Sequence, residues 1–208
     1  MNVKIYYGLS GAMKGSTIES EKQRAPDKVD IMESAIKPWK YYHFGLFNGL
    51  IEYNDLNFCI LHLVRLRDFI ERNHNSGKDL VVERGVTDFL FYYYNNVTGL
   101  GKTRKINEDF ITGVVGAENT NLLPDFSTVE KILFIQKDKD FVKDVVMKDS
   151  VRRKTFHGDI DYYFSLQDKY VDFTTKYNVI NRVIEIDNAK DYITGVLGGR
   201  WETNNNSF

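Results

Sequence analysis

Cysteine is nearly missing from this chain, with Cys59 the only one. No internal disulfide can form, which predicts a reducing compartment. Cys59 lies in the apolar run "LNFCILHL", where a packed thiol is expected rather than a nucleophile. Proline is scarce as well, at Pro26, Pro38 and Pro124, and neither an internal repeat nor a long low-complexity segment is visible. No apolar run has membrane length and no signal-peptide pattern opens the chain, which predicts a cytoplasmic protein without a membrane partner. Charge of one sign is lacking too: the formal net charge is −1. That balance argues against a broad basic surface for nucleic acid, although a local basic patch is compatible with it.

What is present is an ordinary globular composition over 208 residues, 42% hydrophobic and 27% charged, sufficient for one sizeable core. Phe and Tyr are abundant, at 14 and 13 residues, and cluster in "WKYYHFGLF" and "DFLFYYYNN". Such clusters form a core or line a pocket that stacks on planar rings.

Apolar β-rich runs at residues 2–8, 28–33, 79–85, 130–136 and 182–187 alternate with helical patterns at 16–23, 46–73, 87–95, 107–115, 139–148 and 160–177. The first, third and fourth runs are nearly continuous in apolar residues, as central strands of a parallel sheet covered on both faces should be. The alternation predicts a three-layer α/β/α domain with a five-stranded parallel sheet over residues 1–200, followed by a flexible tail at 201–208.

The turn after the first strand reads "GLSGAMKGST". A helix start offers unpaired N–H groups and the positive end of its dipole, glycines let the chain curl, and a lysine brings mobile charge. Gly8, Gly11, Ala12, Met13, Lys14, Gly15, Ser16 and Thr17 therefore form a candidate phosphate cradle. The segment fits G-x-x-x-x-G-K-[ST] at Gly8 and Lys14 and departs from it at Met13 and Gly15. An ordinary strand–turn–helix with a solvated lysine is the structural alternative.

Three further segments stand out. In "DIMESAIKPWKYY", Glu33 closes the second strand at the edge where ligands bind in open α/β sheets, and Trp39 follows. In "LVVERGVTDFL", Glu83 and Arg84 end the third strand and Asp88 sits in the next helix start. In "MKDSVRRKTFHGD", Arg152 and Arg153 form a short basic run. A strand-end surface acid, a core tryptophan, a buried ion pair and a solvated face are the respective structural alternatives.

In their order these segments resemble the P-loop kinases, nearest the deoxynucleoside kinase and thymidylate kinase group, from Val3 to about Tyr192. Lys14-Gly15-Ser16 is similar to the lysine–glycine–hydroxyl of adenylate kinases. Glu33 and Trp39 resemble the Glu-Pro…Trp of deoxynucleoside kinases, with Ser34 in place of proline. Glu83-Arg84 resembles their Glu-Arg-Ser and the Asp-Arg of thymidylate kinases, with Gly85 in place of serine. The resemblance implies a P-loop fold with a lid at about 149–159 that carries Arg152 and Arg153, and a possible homodimer. It implies ATP on the Gly8-to-Thr17 loop, Mg2+ held by Ser16 and Glu83, and phosphate or acceptor held by Arg84. It also implies Glu33 as base, with Trp39 and Asp88 near the acceptor, and it places the adenine near "DNAKDY" after the fifth strand. The implied activity is γ-phosphate transfer from ATP to a nucleoside or nucleoside monophosphate. A kinase of a hydroxyl on a polynucleotide or modified base, and a nucleotide-binding regulator without turnover, stay open beside it, the latter favoured by Met13.

Overall fold

The computed structural model describes residues 2–32, 55–95, 108–120 and 129–197. Five strands are described: β1 (Val3–Tyr7), β2 (Val29–Met32), β3 (Asp79–Glu83), β4 (Val129–Gln136) and β5 (Arg182–Ile186). They form one sheet in the order β2-β3-β1-β4-β5. Every pairing is parallel, with Tyr6 beside Glu83 on one flank of β1 and beside Ile132 on the other. The five-stranded parallel sheet expected from the sequence is thus present, each strand within two residues of its expected bounds.

Helices cover both faces. They are α1 (Lys14–Arg24), α2 (Asp55–Asn73), α3 (Val86–Tyr94), α4 (Glu108–Thr120), the single turn α5 (Lys139–Phe141), α6 (Ser150–Thr155), α7 (Ile160–Lys176) and α8 (Ala189–Leu197). One core, built around Ile5, Tyr7, Val82, Phe91 and Tyr170, lies under α2, α3 and α7. The other, with Tyr6, Met13, Ile18, Phe134 and Ile193, lies under α1 and α8. Alternate residues of β1 feed the two cores, as the period of two along a strand requires.

Three local outcomes differ from the sequence expectation. The helix expected over 139–148 is a short turn followed by a π-helical stretch, Val142–Val146, closed by Met147 N–H donating to Val142 O over 2.9 Å. The wider π turn leaves Val142 and Val146 both fully buried. Within the expected lid, residues 150–155 form a helix, α6, and residues 189–197 after β5 form another, α8. Both are short, and short periodic patterns are weak signals before packing is known. The helix expected over 46–73 is described from Asp55, and the aromatic cluster "WKYYHFGLF" lies outside the described residues.

The other cluster, "DFLFYYYNN", contributes to the core through Phe89, Leu90 and Phe91, which are buried, whereas Tyr94 is 54% exposed. Phe91 sits edge-on to Tyr170 at 4.6 Å and to Phe173 at 5.6 Å between ring centres. It is one of the contacts between α3 and α7. Truncation of Phe91 to Ala is expected to cost about 3–5 kcal/mol of stability, read as a lowered urea midpoint with unchanged slope.

Candidate functional site

The loop from Gly8 to Met13 leaves the carboxyl end of β1, at the middle of the sheet, and runs straight into α1. Its curl needs three residues at positive φ, Gly8 at 135°, Gly11 at 93° and Met13 at 68°. A Cβ on Gly11 would also lie 2.6 Å from Cγ2 of the buried Val146. Met13 keeps the same handedness at a cost of about 1–2 kcal/mol. Its side chain is only 6% exposed and packs in the core beneath α1 and α8. Burial of a methionine contributes roughly 1.5–3 kcal/mol, which offsets the backbone strain. The thioether that breaks the glycine pattern therefore points into the protein, not into the mouth of the loop.

Met13 occupies the N-cap position of α1 and gives it no side-chain cap. The amides that open the helix are left for another acceptor, and the dipole favours an anion there. Thr17 N–H has already turned to Met13 O at 3.1 Å, and the Thr17 hydroxyl contacts Met13 O and Tyr192 Oη, each at 3.0 Å. Thr17 is thus engaged with α8, in the segment where the resemblance puts an adenine. Ser16 is half-buried and Gly15 exposed at the helix start.

Lys14 is 3% exposed and donates from Nζ to Gly8 O at 2.6 Å and Leu9 O at 2.8 Å. Its ammonium sits on carbonyls of the loop it belongs to. Burial, then the nearby Arg84 charge, lowers its pKa to about 7, with Asp88 and Glu83 opposing.

Arg84 follows β3 in a left-handed conformation, φ 74°, and its side chain is 12% exposed. The guanidinium carbon lies 5.3 Å from the centre of the Tyr92 ring, and Nη1 lies 3.5 Å from Asp88 Oδ2. Tyr92 Oη in turn accepts a 2.8 Å bond from Ser10 N–H. Asp88 is completely buried. Its Oδ1 accepts from Gly8 N–H at 3.3 Å and from the Tyr170 hydroxyl. Burial raises its pKa against the pull of Arg84 and Lys14. Asp88 thus acts on the loop from behind and offers no exposed surface to an acceptor.

From the other side, α6 brings Arg152 Nε to 3.3 Å from Ser10 Oγ, while Arg153 is exposed. The structure therefore sets Lys14, Arg84 and Arg152 around one loop and leaves Arg153 outside the group. Glu83 lines a cavity of about 470 Å³ with Gly15, Ile18, Glu19, Lys22 and Asp30, between α1 and β2. Of the cradle residues only Gly15 lines that space, so the polar convergence, not the cavity, marks the site. Glu33 and Trp39 lie outside the described residues. Among the described residues no cluster of three His, Cys, Asp or Glu side chains could hold a metal unaided. Ser16 and Glu83 are hard oxygen donors of the type that Mg2+ takes when phosphates and water complete its shell. Tyr92 and Tyr170 are participants that sequence reasoning missed: each lies in an aromatic run whose pattern signals burial, and nothing local distinguishes a tyrosine that also reaches a loop.

No protein-family model and no curated protein sequence matches the chain. Solved structures do. Deoxyadenosine kinase from M. mycoides with bound dATP is 14% identical, with 95% of this chain and 96% of that one covered at a TM-score of 0.58. Thymidylate kinase from Candida albicans is 11% identical, with 94% and 89% covered at 0.58. Thymidylate kinase from Ehrlichia chaffeensis is 13% identical, with 92% of each chain covered at 0.50. The chain has the P-loop nucleoside and nucleotide kinase fold. At these identities the likeness concerns the fold. No described helix is long and apolar enough to cross a membrane.

Two glycine substitutions test the loop geometry. Gly11→Ala meets both a left-handed backbone and Val146 and is expected to lower stability by about 1–3 kcal/mol. Gly15→Ala meets no atom within 4 Å and is expected to leave the stability from urea unfolding within about 0.5 kcal/mol of the parent.

Proposed function

We propose that the protein transfers the γ-phosphate of ATP to a nucleoside or a nucleoside monophosphate. The observation that carries this reading is the meeting of an uncapped helix start with Lys14, Arg84 and Arg152 at one loop. A ligand with several negative charges answers every part of that arrangement. The solved neighbours supply the chemical context, since deoxyadenosine kinase from M. mycoides holds dATP in one structure and the products dCMP and dCDP in another.

In this mechanism the β- and γ-phosphates lie over the first amides of α1. Lys14 leaves the Gly8 and Leu9 carbonyls and bridges the two phosphates. An acceptor oxygen attacks the γ-phosphorus in line as the bond to the β,γ-bridging oxygen breaks, and ADP departs with the electron pair. Arg84 and Arg152 hold the oxygens of the moving group. A Mg2+ ion, held through Ser16 and Glu83 in part by water, would neutralise charge on the phosphates. A nucleoside hydroxyl must lose a proton, for which Glu33 is the candidate base, with Trp39 beside the base ring. A monophosphate oxygen needs no base, and Arg84 then grips the acceptor phosphate. Met13, the feature that favoured a binder without turnover, has its bulk in the core and obstructs nothing.

Transfer of labelled γ-phosphate from ATP to a panel of nucleosides and monophosphates tests the reading. Lys14→Ala is expected to lower transfer by about 100-fold or more while the fold persists. Tight ATP binding without transfer to any acceptor would refute catalysis and favour a regulator.

The displaced pKa of Lys14 gives a second test. At pH 8 a lysine with a pKa of about 7 is mostly neutral. Bound triphosphate favours its ammonium form, so binding takes up close to one proton, and ATP affinity falls as pH rises above about 7. Calorimetric titrations in buffers of different ionisation heat measure this uptake, which Lys14→Ala is expected to abolish.

A further inference from the structure

Only Arg84 and Gly85 separate the end of β3 from the start of α3. So short a junction leaves the first amides of α3 in need of acceptors, and the residue before Val86 is a glycine with no side chain to supply one. The acceptor comes instead from α4. Glu118 is 1% exposed, and its Oε1 accepts from Val86 N–H at 2.7 Å while its Oε2 accepts from the Thr87 hydroxyl at 3.2 Å. A carboxylate at this position also faces the positive end of the α3 dipole. The buried Lys131 of β4 lends it opposite charge.

Gly85 and Glu118 are two halves of one arrangement. A Cβ on residue 85 would lie 2.4 Å from Glu118 Oε1 and 2.4 Å from both Cε1 and Oη of Tyr7. Tyr7 is itself fully buried, so no side chain fits between them. A serine at 85 would bring its own cap but would collide with this pair. The departure at Gly85 is therefore matched by a distant acid that takes over the capping.

The cap sits among the groups that face the phosphate loop. One residue before Gly85 is Arg84, and three residues after it is Asp88, whose carboxylate holds Gly8 N–H and the Tyr170 hydroxyl. Tyr92, over which Arg84 is stacked, belongs to the same helix. The angle at which α3 leaves the sheet sets all of these at once.

We propose that Glu118 is a positioning residue for phosphoryl transfer: by capping α3 from α4 it fixes where Arg84 and Asp88 meet the loop, without touching substrate. This rests on the kinase reading of Arg84. Misplacement of a phosphate-gripping arginine by about 1 Å costs on the order of 100-fold in rate. It acts on kcat more than on KM for ATP, because ATP is held mainly by the α1 amides and Lys14.

The test compares Glu118→Asp, Glu118→Gln and Glu118→Ala in the full chain. Aspartate keeps the charge but withdraws it from Val86 N–H, and is expected to lower kcat about 10- to 100-fold with KM for ATP changed less than about 3-fold. Alanine is expected to be at least as slow. Glutamine keeps a carbonyl for Val86 N–H and an amide for Thr87, and is expected to restore kcat to within about 5-fold of the parent. Amide hydrogen exchange, read without substrate, is expected to rise at least about 10-fold at residues 86–90 in Glu118→Asp, with β1 and β4 unaltered. Parent-like kcat in Glu118→Asp, or unaltered exchange at 86–90, overturns the proposal. Equal losses in Asp and Gln variants, with lowered thermal midpoints, would reduce Glu118 to a structural role and overturn it as well. If the parent itself transfers no phosphate, the kinase reading falls, and the exchange result still decides whether Glu118 sets the start of α3.

Discussion

The carboxylate of Asp88 is the joint on which the site depends. It is completely buried, so every contact it makes is electrostatically strong and every lost contact costly. Through one oxygen it holds the first amide of the loop after β1 and the hydroxyl of Tyr170, and through the other it faces Arg84. The loop after β1, the turn after β3 and the long helix α7 thus share one anionic centre. Removing Arg84 would leave the buried carboxylate short of counter-charge, and removing either donor would leave it short of a hydrogen bond, which makes the arrangement cooperative.

The loop also shows where charge is in excess. Lys14, Arg84 and Arg152 approach one another with Asp88 as the buried counter-charge and Glu83 farther out. Lys14 resolves part of the conflict by lying on two carbonyls and by losing affinity for its proton. A polyphosphate would satisfy the amides of α1, draw Lys14 off the loop carbonyls and balance the arginines, all from one place.

Much of the fold was legible in the sequence because it is written locally. Continuous apolar runs such as "LVVE" and "ILFI" mark strands covered on both faces, and "GLSGAMKGST" announces a turn that opens a helix. The site was legible only in part. Lys14, Arg84 and Arg152 stand out as charges in short motifs, but Glu118 looks like an ordinary acid near a helix end, and its partner Val86 is 32 residues away. The Asp88–Gly8 contact spans 80 residues. The direction of Met13 was not readable either, since a left-handed turn residue can face core or solvent, and only the packing under α1 decides. Val146 reaches Gly11 through a π turn, a register that periodicity does not reveal.

The central claim is that the amides opening α1, together with Lys14, hold a triphosphate. A crystal structure with a non-hydrolysable ATP analogue tests it most directly. The account predicts the β- and γ-phosphates over Lys14, Gly15 and Ser16, with Lys14 Nζ moved from the Gly8 and Leu9 carbonyls onto phosphate oxygens. An analogue bound elsewhere, for instance in the cavity between α1 and β2, with Lys14 still on those carbonyls, would contradict it.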